Sequence, residues 1–285
     1  MIVTDKEYFM ERKLIDKLDL MIKRMQGTDD NVICIDGDEG QGKTNLAMAM
    51  CYYVSHKMGR EYNVKENIFF DLDEVIKFAS TTSQKIIHWD EGALGGMSVQ
   101  WWKQNQQKFI QLLMTARKKK HFIIICIPHF YKLNEYIVID RSIALVHVYS
   151  RKNIQKGRFC YYTKTAKERL MDDWRRKHVK HYKKYKTFWG SFPEAEKKIF
   201  SKEEQDQYEA KKDEAIATLA KSKQEDRKEV LIKRHNMHII NQLEKMGFSL
   251  TNQQYAKIFS TSDRTIGRYK EAIKHEKDVR TTDAI

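Results

Sequence analysis

One octapeptide, GDEGQGKT at residues 37–44, constrains this chain more than any other feature. It meets the pattern G-x-x-x-x-G-K-[ST] at every fixed position, with Gly37, Gly42, Lys43 and Thr44 in place. Before it runs Val32-Ile33-Cys34-Ile35-Asp36, an apolar stretch suited to a buried parallel strand. After it, Asn45-Leu46-Ala47-Met48-Ala49-Met50 continues in helix formers. Strand, glycine loop and helix together turn backbone N–H groups and the positive end of a helix toward phosphate. The expected cradle is Gly37, Asp38, Glu39, Gly40, Gln41, Gly42, Lys43, Thr44 and Asn45. Lys43 would reach the β- and γ-phosphates, and the Thr44 hydroxyl would ligate Mg²⁺.

A second piece of chemistry is Ile86-Ile87-His88-Trp89-Asp90-Glu91, an apolar strand ending in two acids. Asp90 at the strand tip faces the phosphates and would hold Mg²⁺ through water. Glu91 takes the position of a carboxylate that polarises an attacking water. The chain has no N-K-x-D motif to read guanine, which favours ATP over GTP. His121 to Pro128 forms a further apolar run, and His129 just beyond it is the candidate γ-phosphate sensor. Between these strands lie Gly92-Ala93-Leu94-Gly95-Gly96, Trp101-Trp102 and an amide-rich stretch to Lys108. That segment suits either a nucleic-acid contact or a subunit contact. Arg117-Lys118-Lys119-Lys120 closes the next helix, where basic charge suits a helix C-terminus. Arg117 is also placed to serve a neighbour's phosphates.

The 285 residues suffice for one α/β domain and a smaller second one. With 53 Lys+Arg against 39 Asp+Glu, the net charge is +14, which favours a polyanion, nucleic acid before membrane. Cys34, Cys51, Cys126 and Cys160 have no ligand spacing and read as reduced core residues of a cytoplasmic protein. No signal-peptide pattern opens the sequence, and no apolar run reaches spanning length.

The periodicity predicts a helix over 6–26, strands at 68–70, 85–90, 121–128 and 143–149, and an edge strand at 158–162. A helix is expected over 71–80. The expected fold is α/β: a P-loop NTPase with a mainly parallel central sheet, followed by a helical C-terminal region carrying a helix-turn-helix. The expected divisions are an ATPase domain over 1–163, a basic helical linker over 164–226, and a helix-turn-helix domain with tail over 227–285.

GDEGQGKT, IIHWDEG and TARKKKHFIIICIPHFYKLNEYIVIDRS together resemble the additional-strand P-loop ATPases of the FtsK/HerA kind. That group includes viral genome-packaging ATPases and phage Zot-like proteins; terminase ATPase domains are about as similar. The resemblance covers roughly residues 30–150. It implies a homo-oligomeric ring, pentamer or hexamer, with an arginine from one subunit acting on the next. Arg117 and Arg141 match the two arginine positions. The sensor position is often Gln or Asn in that group, whereas this chain has His129.

From Arg151 to Gly190, fourteen Lys and Arg stand against three Asp and Glu, with aromatic residues between them. Cations mixed with flat rings such as Trp174, Tyr182, Phe188 and Trp189 suit phosphate and base contacts, and Arg175, Arg176, Lys183 and Lys184 are the expected nucleic-acid contacts there. Ser201 to Lys228 reads as a mixed-charge helical arm. Farther on, Val230, Leu231, Ile239, Ile240 and Leu243 form an apolar stripe, and Ala256, Ile258, Ile266 and Tyr269 a buried side. Arg264, Thr265 and Arg268 would face DNA from a recognition helix. The expected activity is ATP hydrolysis with Mg²⁺, driving a DNA translocase or packaging-type motor. A viral portal or a replication protein would be its partner. Other readings are a helicase loader or partition ATPase, or a nucleotide-gated DNA-binding regulator.

Overall fold

The computed structural model describes residues 8–27, 29–90, 107–114, 116–151, 155–193, 201–248 and 250–282. Seven strands form one sheet in the order β2-β3-β4-β1-β5-β6-β7. They are β1 (Asn31–Asp36), β2 (Ile68–Phe69), β3 (Ile86–Asp90), β4 (Phe122–Ile127), β5 (Ala144–Arg151), β6 (Gln155–Tyr162) and β7 (Phe188–Ser191). The first five run parallel. β6 and β7 add antiparallel. β1 and β4 are buried at every residue, which is why both read as unbroken apolar runs rather than alternations.

Helices cover the sheet. α1 (Arg12–Gln26) buries Leu14, Ile15, Leu18, Met21, Ile22 and Met25, a three-and-four spacing that makes one apolar face. α2 (Lys43–Met58) is buried along most of its length, as a helix packed on the sheet centre must be. A short α3 (Val64–Asn67) starts where the Asn63 side chain accepts from Glu66 N. α4 (Leu72–Thr81) starts one residue later than expected, because the Asp71 carboxylate caps it by accepting from Glu74 N at 3.0 Å. A further helix, α5, spans 107–114. α6 (Lys164–Lys177) and α7 (Tyr182–Tyr185) follow β6.

Two compact units emerge, residues 1–216 and 217–285. The boundary expected at residue 163 falls inside the first unit. The cause is β7: Phe188 pairs with Tyr161 and Gly190 with Phe159, so β6 is an interior strand rather than the expected edge. The basic segment before β7 hid a strand too short for its alternation to register. Lys167 shows how tightly α6 joins the core. Its amine is fully buried and donates to Val138 O at 2.7 Å, to Ser142 Oγ at 2.6 Å and to Ser142 O. Those acceptors close the π-helix Tyr136–Arg141, and burial pushes the lysine pKa down to about 8.

α8 (Lys202–Lys245) begins in the first unit and continues into the second. The second unit adds α9 (Asn252–Ile258) and α10 (Asp263–Thr282). Thr251 and Gln254 form a reciprocal capping box at the start of α9. Ile240, Tyr255, Ala256, Ile266 and Ile273 make the buried cluster of this unit. Ile258, expected on the buried side, is instead 57% exposed, and Leu231 of the apolar stripe is 63% exposed. Ile258 ends α9, and Phe259 just beyond it packs against the cluster instead.

Candidate nucleotide site

The loop between β1 and α2 takes the shape its glycines permit. Gly37 has φ +144, and a Cβ there would lie 2.2 Å from the carbonyl oxygen of Val148 on β5. No residue but glycine fits. Gly42 has φ +90 and caps α2 in the left-handed conformation; its added Cβ would press the Phe192 ring at 3.3 Å. Phe192 is itself buried, just past the end of β7, so the last strand of the sheet closes one side of the loop. Lys43 bends back along the loop and donates to Gly37 O at 2.7 Å and Asp38 O at 2.9 Å. The ammonium therefore stands over the space the loop encloses. Asp38, Glu39 and Gly40 are exposed, and Gln41 holds a buried Oε1 without a hydrogen-bond partner. Glycine backbone and a lysine on the loop carbonyls suit a phosphate chain. Thr44 and Asn45 follow in the first turn of α2, both half-buried.

β4 lies between β1 and β3. Register pairs Asp36 with Ile127 and Asp90 with Cys126, so the tips of all three strands end together. An inserted strand between the P-loop strand and the acid strand is the additional-strand arrangement expected from the sequence. Asp90 is 2% exposed, and its Oδ2 accepts from Thr44 Oγ1 at 2.6 Å. The two expected metal ligands are therefore in contact. Among the described residues no cation pairs with Asp90. The same oxygen accepts from the Tyr208 phenol at 3.0 Å. Sequence reasoning did not select Tyr208, a lone aromatic in a charged run of α8. His129 follows the β4 tip, between the P-loop and Asp90 in strand order, and is half-buried. Glu91 and the segment 91–106 lie outside the described residues.

A second buried carboxylate stands beside the loop. Asp36, the residue before Gly37, accepts from Phe130 N at 3.3 Å and Tyr182 OH at 2.5 Å, and contacts His147 Nδ1 at 2.9 Å. The His147 and Tyr182 rings stack with centroids 3.6 Å apart. One side chain thus ties the P-loop to the loop after β4, to β5 and to α7. Its position directly before the motif was the available signal.

Both arginines proposed for a neighbouring subunit lie at the other end of the sheet. Arg141 precedes β5 and Arg117 precedes β4, and in parallel strands the starts are remote from the tips. Arg141 is 16% exposed in its side chain, donates to both oxygens of Asp30 (3.2 and 2.5 Å) and reaches Leu113 O at 3.2 Å. A guanidinium so placed would have to abandon a buried carboxylate to act elsewhere, so the expected trans role does not fit its surroundings. Arg117 is 70% exposed and bridges to Asp29 at 3.3 Å.

The expected nucleic-acid residues fall in both units. Arg176 and Lys183 are exposed on α6 and α7, Arg175 pairs with Glu135, and Lys184 sits 4.7 Å over the Tyr185 ring. Several rings expected to stack on bases are packed inward instead. Trp174 stacks on Tyr131 at 4.8 Å, Tyr182 reaches Asp36, and Phe188 is buried. Trp189 is 57% exposed. In the second unit Arg264 and Arg268 are exposed, whereas the Thr265 hydroxyl bonds Ser262 Oγ at 2.8 Å at the start of α10. No helix among the described residues is long and apolar enough to cross a membrane.

No curated protein matches the chain. Among solved structures, the B204 DNA-packaging ATPase from Sulfolobus turreted icosahedral virus is similar at 13% identity and a TM-score of 0.36, over 49% of this chain and 95% of that one. The genome packaging NTPase B204 from Sulfolobus turreted icosahedral virus 2, in complex with ATP-gammaS, is similar at 12% identity and a TM-score of 0.32, over 48% and 93%. These likenesses are distant, and the assignment rests on a sequence family. The family model for novel STAND NTPase 3 matches residues 21–170, more than half of the chain, and takes in the P-loop, the acid strand and the strand inserted between them. The chain is an NTPase of the P-loop class, and it belongs to the novel STAND NTPase 3 family.

Proposed function

We propose that this NTPase hydrolyses ATP with Mg²⁺ to drive movement along DNA, as a translocase or packaging-type motor whose subunits assemble as a ring. The observation that carries the hydrolytic part is the buried Asp90 carboxylate, joined to the Thr44 hydroxyl beside the loop and lacking a cation among the described residues. Hard oxygen ligands of this kind suit Mg²⁺, which keeps most of its other positions for water and phosphate oxygens. When bound, the ion neutralises charge on the phosphates. Thr44 and Asp90 would hold it, Lys43 would swing from the Gly37 and Asp38 carbonyls to the phosphates, and Glu91 would orient the attacking water. His129 would meet the γ-phosphate from the β4 tip. Arg117, at the surface, is the better placed of the two arginines to reach a neighbouring subunit. DNA as the partner is supported by the charge of +14 and by the exposed cations of α6, α7 and α10.

A second reading, a nucleotide-gated DNA-binding regulator, is favoured by one contact. Tyr208, on the helix that continues into the second unit, bonds the metal-side carboxylate. ATPase rates with and without duplex DNA, together with particle mass in ATP, separate the two. The motor requires DNA-stimulated turnover by an assembled ring. ATP-dependent DNA binding by a non-turning-over protein supports the regulator and sinks the motor. Glu91→Gln should keep ATP binding and lose at least roughly a hundredfold in turnover.

A further inference from the structure

Tyr208 reaches the nucleotide site from 118 residues beyond Asp90. Its phenol donates to Asp90 Oδ2 at 3.0 Å, the oxygen that also accepts from Thr44 Oγ1 at 2.6 Å. The side chain is buried, and its ring packs on Phe70 with centroids 5.5 Å apart. A phenol carries its proton at neutral pH, so the group is a donor. Neighbouring residues of α8 hold the same segment to α2 and to the sheet edge. Glu204 accepts from the Tyr52 hydroxyl. Lys211 donates to Lys65 O at 2.8 Å and Ile68 O at 2.5 Å, and stands 5.0 Å over the Phe69 ring.

A carboxylate oxygen has two lone pairs, and Thr44 and Tyr208 use both on Oδ2. Mg²⁺ held by Thr44 Oγ1 would stand beside Oδ2, the Asp90 oxygen that this hydroxyl touches. A water ligand donating to Oδ2 there would compete with the phenol for its second lone pair. We propose that Tyr208 is a latch opened by metal-bound nucleotide: Mg·ATP displaces its phenol from Asp90 and loosens the start of α8. This rests on the reading that Thr44 and Asp90 hold Mg²⁺. Coupling of this kind is reciprocal, so whatever draws α8 away strengthens Mg·ATP binding. The same helix runs past residue 216 into the second unit, which gives nucleotide state a covalent route to the C-terminal helices.

The test is calorimetric titration of the full chain with ATPγS, in Mg²⁺ and in EDTA, for the wild type and Tyr208→Phe. The variant should bind on the order of tenfold tighter in Mg²⁺, the worth of one hydrogen bond to a charged group, and equally in EDTA. Glu204→Ala, which removes the acceptor of the Tyr52 hydroxyl without touching Asp90, should shift Mg²⁺ affinity in the same direction by less. In the wild type, amide exchange over 201–212 should quicken with Mg·ATPγS and not with ATPγS in EDTA. Unchanged or weaker Mg·ATPγS binding by Tyr208→Phe, or exchange indifferent to the metal, overturns the latch alone. A wild type that binds no ATPγS under either condition overturns the nucleotide-site reading beneath it.

Discussion

Asp30 and Asp90 are both buried acids of one parallel sheet, and they stand at opposite ends of it. Asp30, before β1, meets both guanidinium nitrogens of Arg141. Asp90, at the tip of β3, meets hydroxyls among the described residues, those of Thr44 and Tyr208. Removing a carboxylate from water is costly unless a cation compensates it. The fold supplies that cation to Asp30 and, among the described residues, pairs none with Asp90. The first acid is complete as structure. The second suits an ion delivered with a nucleotide. The difference separates a structural charge from a functional one without reference to sequence motifs.

Replacing either member of the finished pair should injure the fold. Arg141→Ala leaves Asp30 buried without its cation and should cost about 3–5 kcal/mol of stability. Urea unfolding checks this, with turnover per folded molecule expected to persist. A stable Arg141→Ala protein that has lost only turnover would restore the trans-arginine role and break the comparison. At the tips the pattern should invert. Lys43→Ala should abolish nucleotide binding or turnover, because the main phosphate charge is gone, with little change in unfolding midpoint. Wild-type ATPase in that variant would remove the P-loop assignment.

A smaller effect comes from between these ends. His88, two residues before Asp90, is fully buried between Tyr62 OH at 3.1 Å and Cys126 Sγ at 3.4 Å, and burial pushes its pKa down to about 4. An unfolded imidazole titrates near 6.5, so the unfolded chain takes up a proton between pH 6.5 and 4 that the fold resists. Stability should therefore fall as pH drops through that window. Urea midpoints at pH 7 and pH 5 should differ less in His88→Gln than in the wild type. An equal loss in both would place the acid sensitivity elsewhere.

The smallest expected change lies in the second unit, where charge is exposed and unfinished for a different reason. Arg264→Ala and Arg268→Ala should each lower the salt dependence of DNA binding by a slope of about one, if each neutralises a phosphate. Stability should hardly move. Salt slopes identical to the wild type would take α10 out of the DNA interface.

What the sequence made legible follows from how local each signal is. The loop and its flanking strand and helix are contiguous, so residues 31–58 could be read directly. Asp90 was legible because a long apolar strand must end at the same edge as the P-loop strand. The pairing of Arg141 with Asp30 was not legible, since the two lie 111 residues apart. Tyr208 was not legible, since its partner is 118 residues away and the surrounding charge reads as a solvated helix. β7 is a four-residue strand in a cationic segment, with too few residues for a period to show. Trp174 and Tyr182 looked like base-stacking rings because composition does not say which way a ring points; both pack against the core.

The central claim is that Asp90 awaits a cation that arrives with nucleotide. Thermal unfolding of the wild type and Asp90→Asn, with ATPγS in EDTA and with ATPγS plus Mg²⁺, tests it most directly, since a ligand that binds the native state raises its midpoint. The wild type should gain a further increment when Mg²⁺ is present, and Asp90→Asn should keep the metal-free increment while losing the further one. An Asp90→Asn protein that retains the full Mg²⁺ increment would contradict the account.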